Sequence, residues 1–337
     1  MSPVLTVEGL HVAVGGAGTA GSGRGGAGHE AVRDVSFAIE RGESVGLVGE
    51  SGSGKTLTCR AVLGVLPPGV TVTGGGIHLG ADLDLTRLDR RGWDSVRGNR
   101  IAAVFQDPAS YLNPSLTVGR QLAEQLRLKG GLPRLSRAQA RTAAVDLLAA
   151  MGLRRPSVVY DQYPHELSGG MLQRALIAIA VAGEPELLVA DEATTALDTA
   201  VQAEVLELLR HLREERGLAL LLVSHDLAVV AEVCDRIAVF YAGEIVEQGP
   251  AAQVIANPRH PYTEALLRVA SLGDWRRRDL EVIPGRPPEP GAMPAGCRFA
   301  ARCAHAVEAC ATPVGLSTVD DRQVRCHRAA TLELVGA

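Results

Sequence analysis

The stretch Val48-Gly49-Glu50-Ser51-Gly52-Ser53-Gly54-Lys55-Thr56 decides how the rest of the chain is read. Gly49, Gly54, Lys55 and Thr56 fit the spacing G-x-x-x-x-G-K-[ST]. Gly49, Gly52 and Gly54 let the backbone wrap closely around a polyphosphate with its N–H groups turned inward. A helix starting near Lys55 aims its positive dipole end at the same anion. Lys55 would reach the β- and γ-phosphates of a nucleotide, and the Thr56 hydroxyl would hold Mg²⁺. The loop by itself does not separate ATP from GTP, and only the rest of the chain says which phosphate-loop protein carries it.

Outward from the loop, short apolar strands alternate with helices. Residues 44–48 form the strand that feeds it, and residues 56–66 read as its helix, stopped by Pro67-Pro68-Gly69. Upstream, 5–7, 10–14 and 31–39 read as strand material, and 15–28 is a Gly-rich run expected to be a flexible hairpin loop. Downstream, 70–79 and 82–88 look peripheral, 101–105 is a compact apolar strand, and 118–128, 137–151 and 172–181 have helical periodicity. Strands follow at 187–190, 218–223, 237–241 and 245–247, with a helix at 199–216 closed by Gly217. The alternation predicts an α/β fold with a parallel sheet. Residues 1–256 are expected to form one nucleotide-binding domain, with a helical insertion at about 107–182. Residues 257–337, where Arg, Pro, Gly and Cys become common, form a C-terminal extension.

The 337 residues are ample for a well-buried core, and aromatics at 3% leave that core to Leu, Val, Ile and Ala. A net charge of −4 gives no pull toward nucleic acid. No apolar run approaches the roughly 20 residues of a membrane span, and the N-terminus has no signal-peptide pattern. The chain is therefore expected inside the cell, where Cys59, Cys234, Cys297, Cys303, Cys310 and Cys326 are not a disulfide framework. Cys59 and Cys234 fall in predicted helical segments and read as core.

Further motifs follow the loop in a fixed order: Gln106, Leu167-Ser168-Gly169-Gly170-Met171, Leu187-Leu188-Val189-Ala190-Asp191-Glu192, Ala196-Leu197-Asp198 and Val223-Ser224-His225-Asp226. Over residues 4–255 the chain resembles the ATP-binding cassette (ABC) ATPases, the motor subunits of ABC transporters. The resemblance implies a RecA-like phosphate-loop core with an antiparallel β subdomain and a helical subdomain. It also implies roles. Asp191 assists Mg²⁺ through water, Glu192 is the general base, Gln106 contacts Mg²⁺ and the lytic water, and His225 contacts the γ-phosphate. Residues 49–56 hold the ATP of their own chain, whereas Ser168, Gly169 and Gly170 cap the γ-phosphate bound by a partner subunit, and residues 196–198 line that interface. One departure is that the family's adenine-stacking aromatic falls by register near Val14, where no Phe or Tyr is found.

Phe105-Gln106-Asp107-Pro108, Leu112-Asn113-Pro114, Tyr163-Pro164-His165-Glu166 and Asn257-Pro258-Arg259-His260-Pro261-Tyr262-Thr263 closely resemble phrases of the dipeptide/oligopeptide and nickel importer ATPases. In the tail, Cys297, Cys303, Cys310 and Cys326 are spaced C-x5-C-x6-C-x15-C, which reads as a metal site stapling a segment with little core of its own. The resemblance implies a [4Fe-4S] cluster; zinc or metal-free cysteines stay open on the residues alone. The function implied is an ATP-hydrolysing subunit of a peptide importer. Its expected partners are a second homologous ATPase, forming a heterodimer, two membrane permeases and an extracytoplasmic binding protein. It would sit peripherally at the cytoplasmic face of the cell membrane. Nickel, a metallophore or a sugar is the alternative cargo, and a non-transport ABC ATPase the alternative class.

Overall fold

The computed structural model describes residues 2–15, 28–128, 135–193, 198–271 and 283–336. In chain order the elements are β1 (Leu5–Val14), β2 (His29–Ile39), β3 (Ser44–Val48), α1 (Lys55–Val62), β4 (Val70–Leu79), β5 (Leu83–Asp84), α2 (Arg90–Val96), β6 (Ile101–Phe105), α3 (Pro108–Tyr111), α4 (Val118–Leu128), α5 (Arg137–Ala150), α6 (Pro156–Asp161) and α7 (Gly169–Val181). There follow β7 (Leu187–Asp191), α8 (Thr199–Arg216), β8 (Ala219–Val223), α9 (Leu227–Val233), β9 (Arg236–Tyr241), β10 (Glu244–Pro250), α10 (Ala251–Ala256), α11 (Pro261–Ser271), β11 (Ser317–Val319) and β12 (Arg322–Val324). The chain divides into two compact units, one holding residues 1–4, 39–43 and 87–221, the other 5–38, 44–86 and 222–337. The expected Gly-rich loop falls largely outside the described residues.

In the first unit, β6 and β7 are parallel and in register from Ile101 opposite Leu187 to Phe105 opposite Asp191. β7 is buried along its whole length, as a central strand reading Leu-Leu-Val-Ala-Asp requires. The helices start where the sequence supplies caps. Ser136 and Gln139 form a reciprocal capping box before α5, Ser168 accepts from Met171 N before α7, and Asp198 accepts from Val201 N before α8. α8 buries Val205, Leu209 and Leu212, one face of a helix. α7 begins at Gly169, three residues before its apolar periodicity, because the Ser168 cap takes both glycines into the first turn.

The second unit carries two sheets. One has the order β2-β1-β4-β5, with β1/β4 and β4/β5 antiparallel, which matches the expected antiparallel β subdomain. β1 is one strand where the sequence suggested two. The interruption at Gly9 is a register shift between Glu8 and His11. The other sheet runs β11-β12-β10-β9-β3. β3 and β9 are parallel, and the remaining pairs are antiparallel. The C-terminal residues therefore extend the sheet that contains the strand before the phosphate loop. β8 passes from the first unit into the second, where Ser224 N donates to Leu47 O at 3.1 Å. α1 ends at Val62, before the expected Leu66, with Gly64 at φ 62° just beyond. Cys59 and Cys234 are buried, although Cys234 lies just past the end of α9.

An aromatic core holds the extension. The Tyr241 and Tyr262 rings lie 4.6 Å apart, and Phe299 packs on them at 5.1 and 5.3 Å. His260, 1% exposed, stands beside Phe299, and its Nδ1 accepts from Tyr262 N at 3.0 Å. Burial pulls the imidazole pKa down to about 3, so it is neutral in the folded chain. Glu247, fully buried, accepts from the backbone N–H groups of Arg259 and His260, and burial pushes its carboxyl up.

Unfolding lets His260 take up a proton, so its share of stability is intact above the ordinary histidine pKa of about 6.5 and is lost as pH falls from there toward 3. The limiting slope is about 1.4 kcal/mol per pH unit. Glu247 acts in the opposite sense above the ordinary carboxylate pKa, so the difference between the protein and a His260→Asn variant isolates the histidine. Unfolding midpoints measured from pH 7 to pH 4 should fall less steeply for the variant, and parallel curves would rule out the neutral buried imidazole.

Candidate active site

The phosphate loop grows out of β3, whose residues are all buried, and leads into α1. Gly49 sits at φ 146°, and a Cβ there would stand 2.1 Å from Phe240 O, so both conformation and space demand glycine. α1 opens on Gly54 in the left-handed conformation, with no side chain capping it and no acidic residue in its first turn. The helix thus presents its first N–H groups, including those of Lys55 and Thr56, as an anion cradle. Lys55 is only 4% exposed. Its ammonium donates to Gly49 O at 2.7 Å, to Glu50 O at 3.0 Å and to Ser53 Oγ at 3.3 Å. Ser53 N in turn donates to Glu50 O at 3.2 Å, and Gly243 N to Ser53 O at 2.8 Å. The loop is therefore folded around its lysine, as a polyphosphate cradle must be. Ser51 and Gly52 form its exposed crest.

His225 is exposed, one residue past Ser224, whose backbone is tied to Leu47 in β3. Ser224 Oγ accepts from Asp226 N at 2.9 Å, which turns the chain sharply at the histidine. The second unit thus holds the loop and His225 at the ends of neighbouring strands, where α/β sheets bind ligands.

In the first unit the parallel β6 and β7 end together, with Phe105 opposite Asp191. Gln106 is exposed directly after Phe105, and Asp191, 7% exposed, is the last residue of β7. Glu192 follows at φ 51°, an unfavourable conformation for a residue with a side chain. The register brings Gln106, Asp191 and Glu192 to one edge. Ser168, Gly169 and Gly170 lie elsewhere in this unit, at the start of α7. Ser168 Oγ accepts from Met171 N at 3.4 Å, and a Cβ on Gly170 would meet Val201 Cγ1 of α8 at 2.7 Å. Gly170 is therefore small because α8 passes close to it. Ala196 and Leu197, expected at the interface, lie outside the described residues. Val14, at the position where the family's adenine-stacking aromatic falls by register, is the exposed end of β1.

Cys297, Cys303, Cys310 and Cys326 line one small cavity. Arg328 N donates to Cys326 Sγ at 3.4 Å. Burial and the neighbouring cysteines push the Cys297 thiol up to about 11, and burial raises Cys303 and Cys326. Among the described residues, no group of three or more His, Cys, Asp or Glu is arranged to hold a metal ion.

Two residues of the site escaped the sequence reading. Tyr262 Oη accepts from Glu50 N at 2.9 Å, and Arg302 pairs with the Glu50 carboxylate at 2.7 and 2.9 Å. Tyr262 belongs to a phrase read only as a family mark, and no local pattern around Arg302 signals its reach to a loop some 250 residues earlier.

Residues 32–195 match the family model described as ABC transporter, and residues 246–310 match that of the oligopeptide/dipeptide transporter C-terminal region. A putative peptide import ATP-binding protein of Brucella melitensis is 46% identical over 311 residues, which cover 88% of this chain and 91% of that one. One of Brucella ovis is 46% identical over the same length and shares. Among solved structures, a dimeric ATP-binding cassette in a post-hydrolysis state with ADP and Pi aligns with TM-score 0.62 at 26% identity. The alignment covers 73% of this chain and 98% of that one. The cbiO1 protein of Clostridium perfringens, part of the ABC transporter complex cbiONQ, aligns at TM-score 0.61 and 26% identity over 76% of this chain and 92% of its own. No helix among the described residues is long and apolar enough to cross a membrane. The cassette fold, the phosphate loop and both family matches make this chain an ATP-hydrolysing member of the ABC transporter family, of its oligopeptide/dipeptide transporter branch.

Proposed function

We propose that this chain powers peptide uptake as one of two ATPase subunits acting on a pair of membrane permeases. The observation that carries the catalytic reading is the shared edge of β6 and β7, where Gln106, Asp191 and a backbone-strained Glu192 meet. Residues 49–56 bind the triphosphate through backbone N–H groups, and Lys55 moves from the loop carbonyls to the β- and γ-phosphates. Oxygen donors suit Mg²⁺, and the Thr56 hydroxyl, the Asp191 carboxylate through water, and Gln106, which would also contact the lytic water, are the residues that would hold it. When bound, Mg²⁺ neutralises charge on the phosphates. Glu192 would accept the proton of the attacking water, and His225 would contact the γ-phosphate and help orient that water. Ser168, Gly169 and Gly170 complete the site of a homologous, non-identical partner, and dimerisation is supported by the dimeric cassette to which this chain is similar.

The domain reading is a cassette at 1–256, with a helical insertion at 107–182 that receives a permease helix near Gln106, and an extension at 257–337. Peptide cargo is supported by the match at 246–310 and by the peptide import relatives. An extracytoplasmic binding protein delivers that cargo, and this chain works from the cytoplasmic face. Cys297, Cys303, Cys310 and Cys326 are the residues that would hold a [4Fe-4S] cluster. The reading is supported by the four cysteines lining one small cavity and by the Arg328 N–H that donates to Cys326 Sγ, which favours a thiolate there. A bound cluster supplies a covalent staple and a redox centre.

Glu192→Gln should keep ATP binding within about twofold and lower steady-state hydrolysis by about 10²–10⁴-fold. Turnover at the parent rate would remove Glu192 from the role of base. Full-length protein purified without oxygen should be brown and carry about four iron and four sulfide per chain. Colourless protein with one zinc per chain would replace the cluster with a zinc site.

A further inference from the structure

Glu50 is anchored at three points, all within the second unit. Its N–H donates to Tyr262 Oη at 2.9 Å, its C=O accepts from the Lys55 ammonium at 3.0 Å, and its carboxylate faces the Arg302 guanidinium. The guanidinium is itself fully engaged. Nη1 donates to Glu50 Oε2 at 2.7 Å and to Tyr241 Oη at 3.3 Å; Nη2 donates to Glu50 Oε1 at 2.9 Å and to Ile283 O at 3.1 Å; Nε donates to Pro284 O at 2.8 Å. All five of its N–H groups thus have acceptors, which a lysine could not reproduce. The Arg302 side chain is 4% exposed and the Glu50 side chain 28%. The turn Ala300–Arg302 that carries the guanidinium has Cys303 as its C-cap, so the four-cysteine lobe and the phosphate loop are joined through one short turn.

We propose that Arg302 is a positioning residue for ATP binding: it neutralises the Glu50 carboxylate and fixes the first half of the phosphate loop from the C-terminal extension. The chemistry asks for such a group. A carboxylate at the second position of a loop that receives a triphosphate repels its ligand unless it is paired. A bidentate guanidinium removes that repulsion and clamps the backbone whose carbonyls hold Lys55. Arg302 acts through Glu50, and so links the integrity of the extension to nucleotide affinity. The inference rests on residues 49–56 being the ATP site.

The test is equilibrium binding of a fluorescent ATP analogue to the purified full-length chain, with steady-state kinetics alongside. Lys55→Ala serves as the control, and its loss of binding secures the ATP-site reading whatever Arg302 does. Arg302→Gln should weaken binding by about tenfold and raise KM in parallel, with kcat within about twofold, because it strands a carboxylate on the loop. That deficit should shrink at high salt. Arg302→Lys should fall between the two, since it keeps the charge and loses the fork. Glu50→Gln alone should cost less than Arg302→Gln, and adding it to Arg302→Gln should restore binding to the Glu50→Gln level. Unchanged affinity in Arg302→Gln, or a deficit indifferent to both salt and Glu50→Gln, would overturn the proposal. The Glu50→Gln comparison keeps the test decisive if Arg302→Gln folds poorly: Glu50→Gln binding ATP tenfold worse than the parent would also overturn it.

Discussion

A lysine ammonium that is 4% exposed sets the terms for this structure. An unpaired buried charge costs several kcal/mol or more, so the chain must supply acceptors wherever the phosphates do not. It supplies Gly49 O, Glu50 O and Ser53 Oγ. Those acceptors are useful only if the loop holds one shape. That requires Gly49 pressed against Phe240, Ser53 O tied to Gly243, and Glu50 tied to Tyr262 and Arg302. The acceptors are also weak rivals for a triphosphate. Neutral carbonyls hold an ammonium less strongly than phosphate oxygens do, so the lysine is satisfied while it waits and still available. The same balance explains why the helix behind it starts without a side-chain cap.

The second constraint is how carboxylates are delivered. A strand buried over its full length, such as β7, tolerates a charge only at its end, where the chain leaves the apolar layer. Asp191 occupies that end, and the parallel register with β6 brings Gln106 to the same edge. Glu192 then turns at φ 51° where a glycine would have been easier, at a cost of about 1–3 kcal/mol. That strained carboxyl group lies on the same strand edge as Asp191 and Gln106.

Much of this was legible in the sequence. α4, β3, β6 and α8 fall on the residues that periodicity and capping marked, because their apolar faces and stop signals are local. The candidate site motifs could be picked out for the same reason, each being a strand end or a helix start. What stayed hidden was non-local. β11 and β12 are three residues long each, too short for an alternating pattern, and exist because they pair onto β10. The Arg302–Glu50 pair joins residues with no local relation. The cysteine spacing indicated convergence on one site, but the Arg328 N–H directed at Cys326 Sγ follows from turn geometry that spacing does not encode.

The extension belongs to the cassette's own folding problem. Glu247 of β10 is fully buried and lies within 3.4 Å of the equally buried Arg322 of β12, while the Arg259 and His260 N–H groups donate to it from the start of the extension. Breaking a buried pair by removing one partner is worse than never having had it, because the remaining charge is stranded. A cassette ending after β10 would therefore leave Glu247 without Arg322, Arg259 and His260, and Glu50 without Arg302 and Tyr262. The acidic residues Glu50 in the phosphate loop and Glu247 in the sheet pair, among the described residues, with Arg302 and Arg322 of the C-terminal extension. This binds the four-cysteine lobe to the ATP site by electrostatic necessity, with no need for a moving part between them.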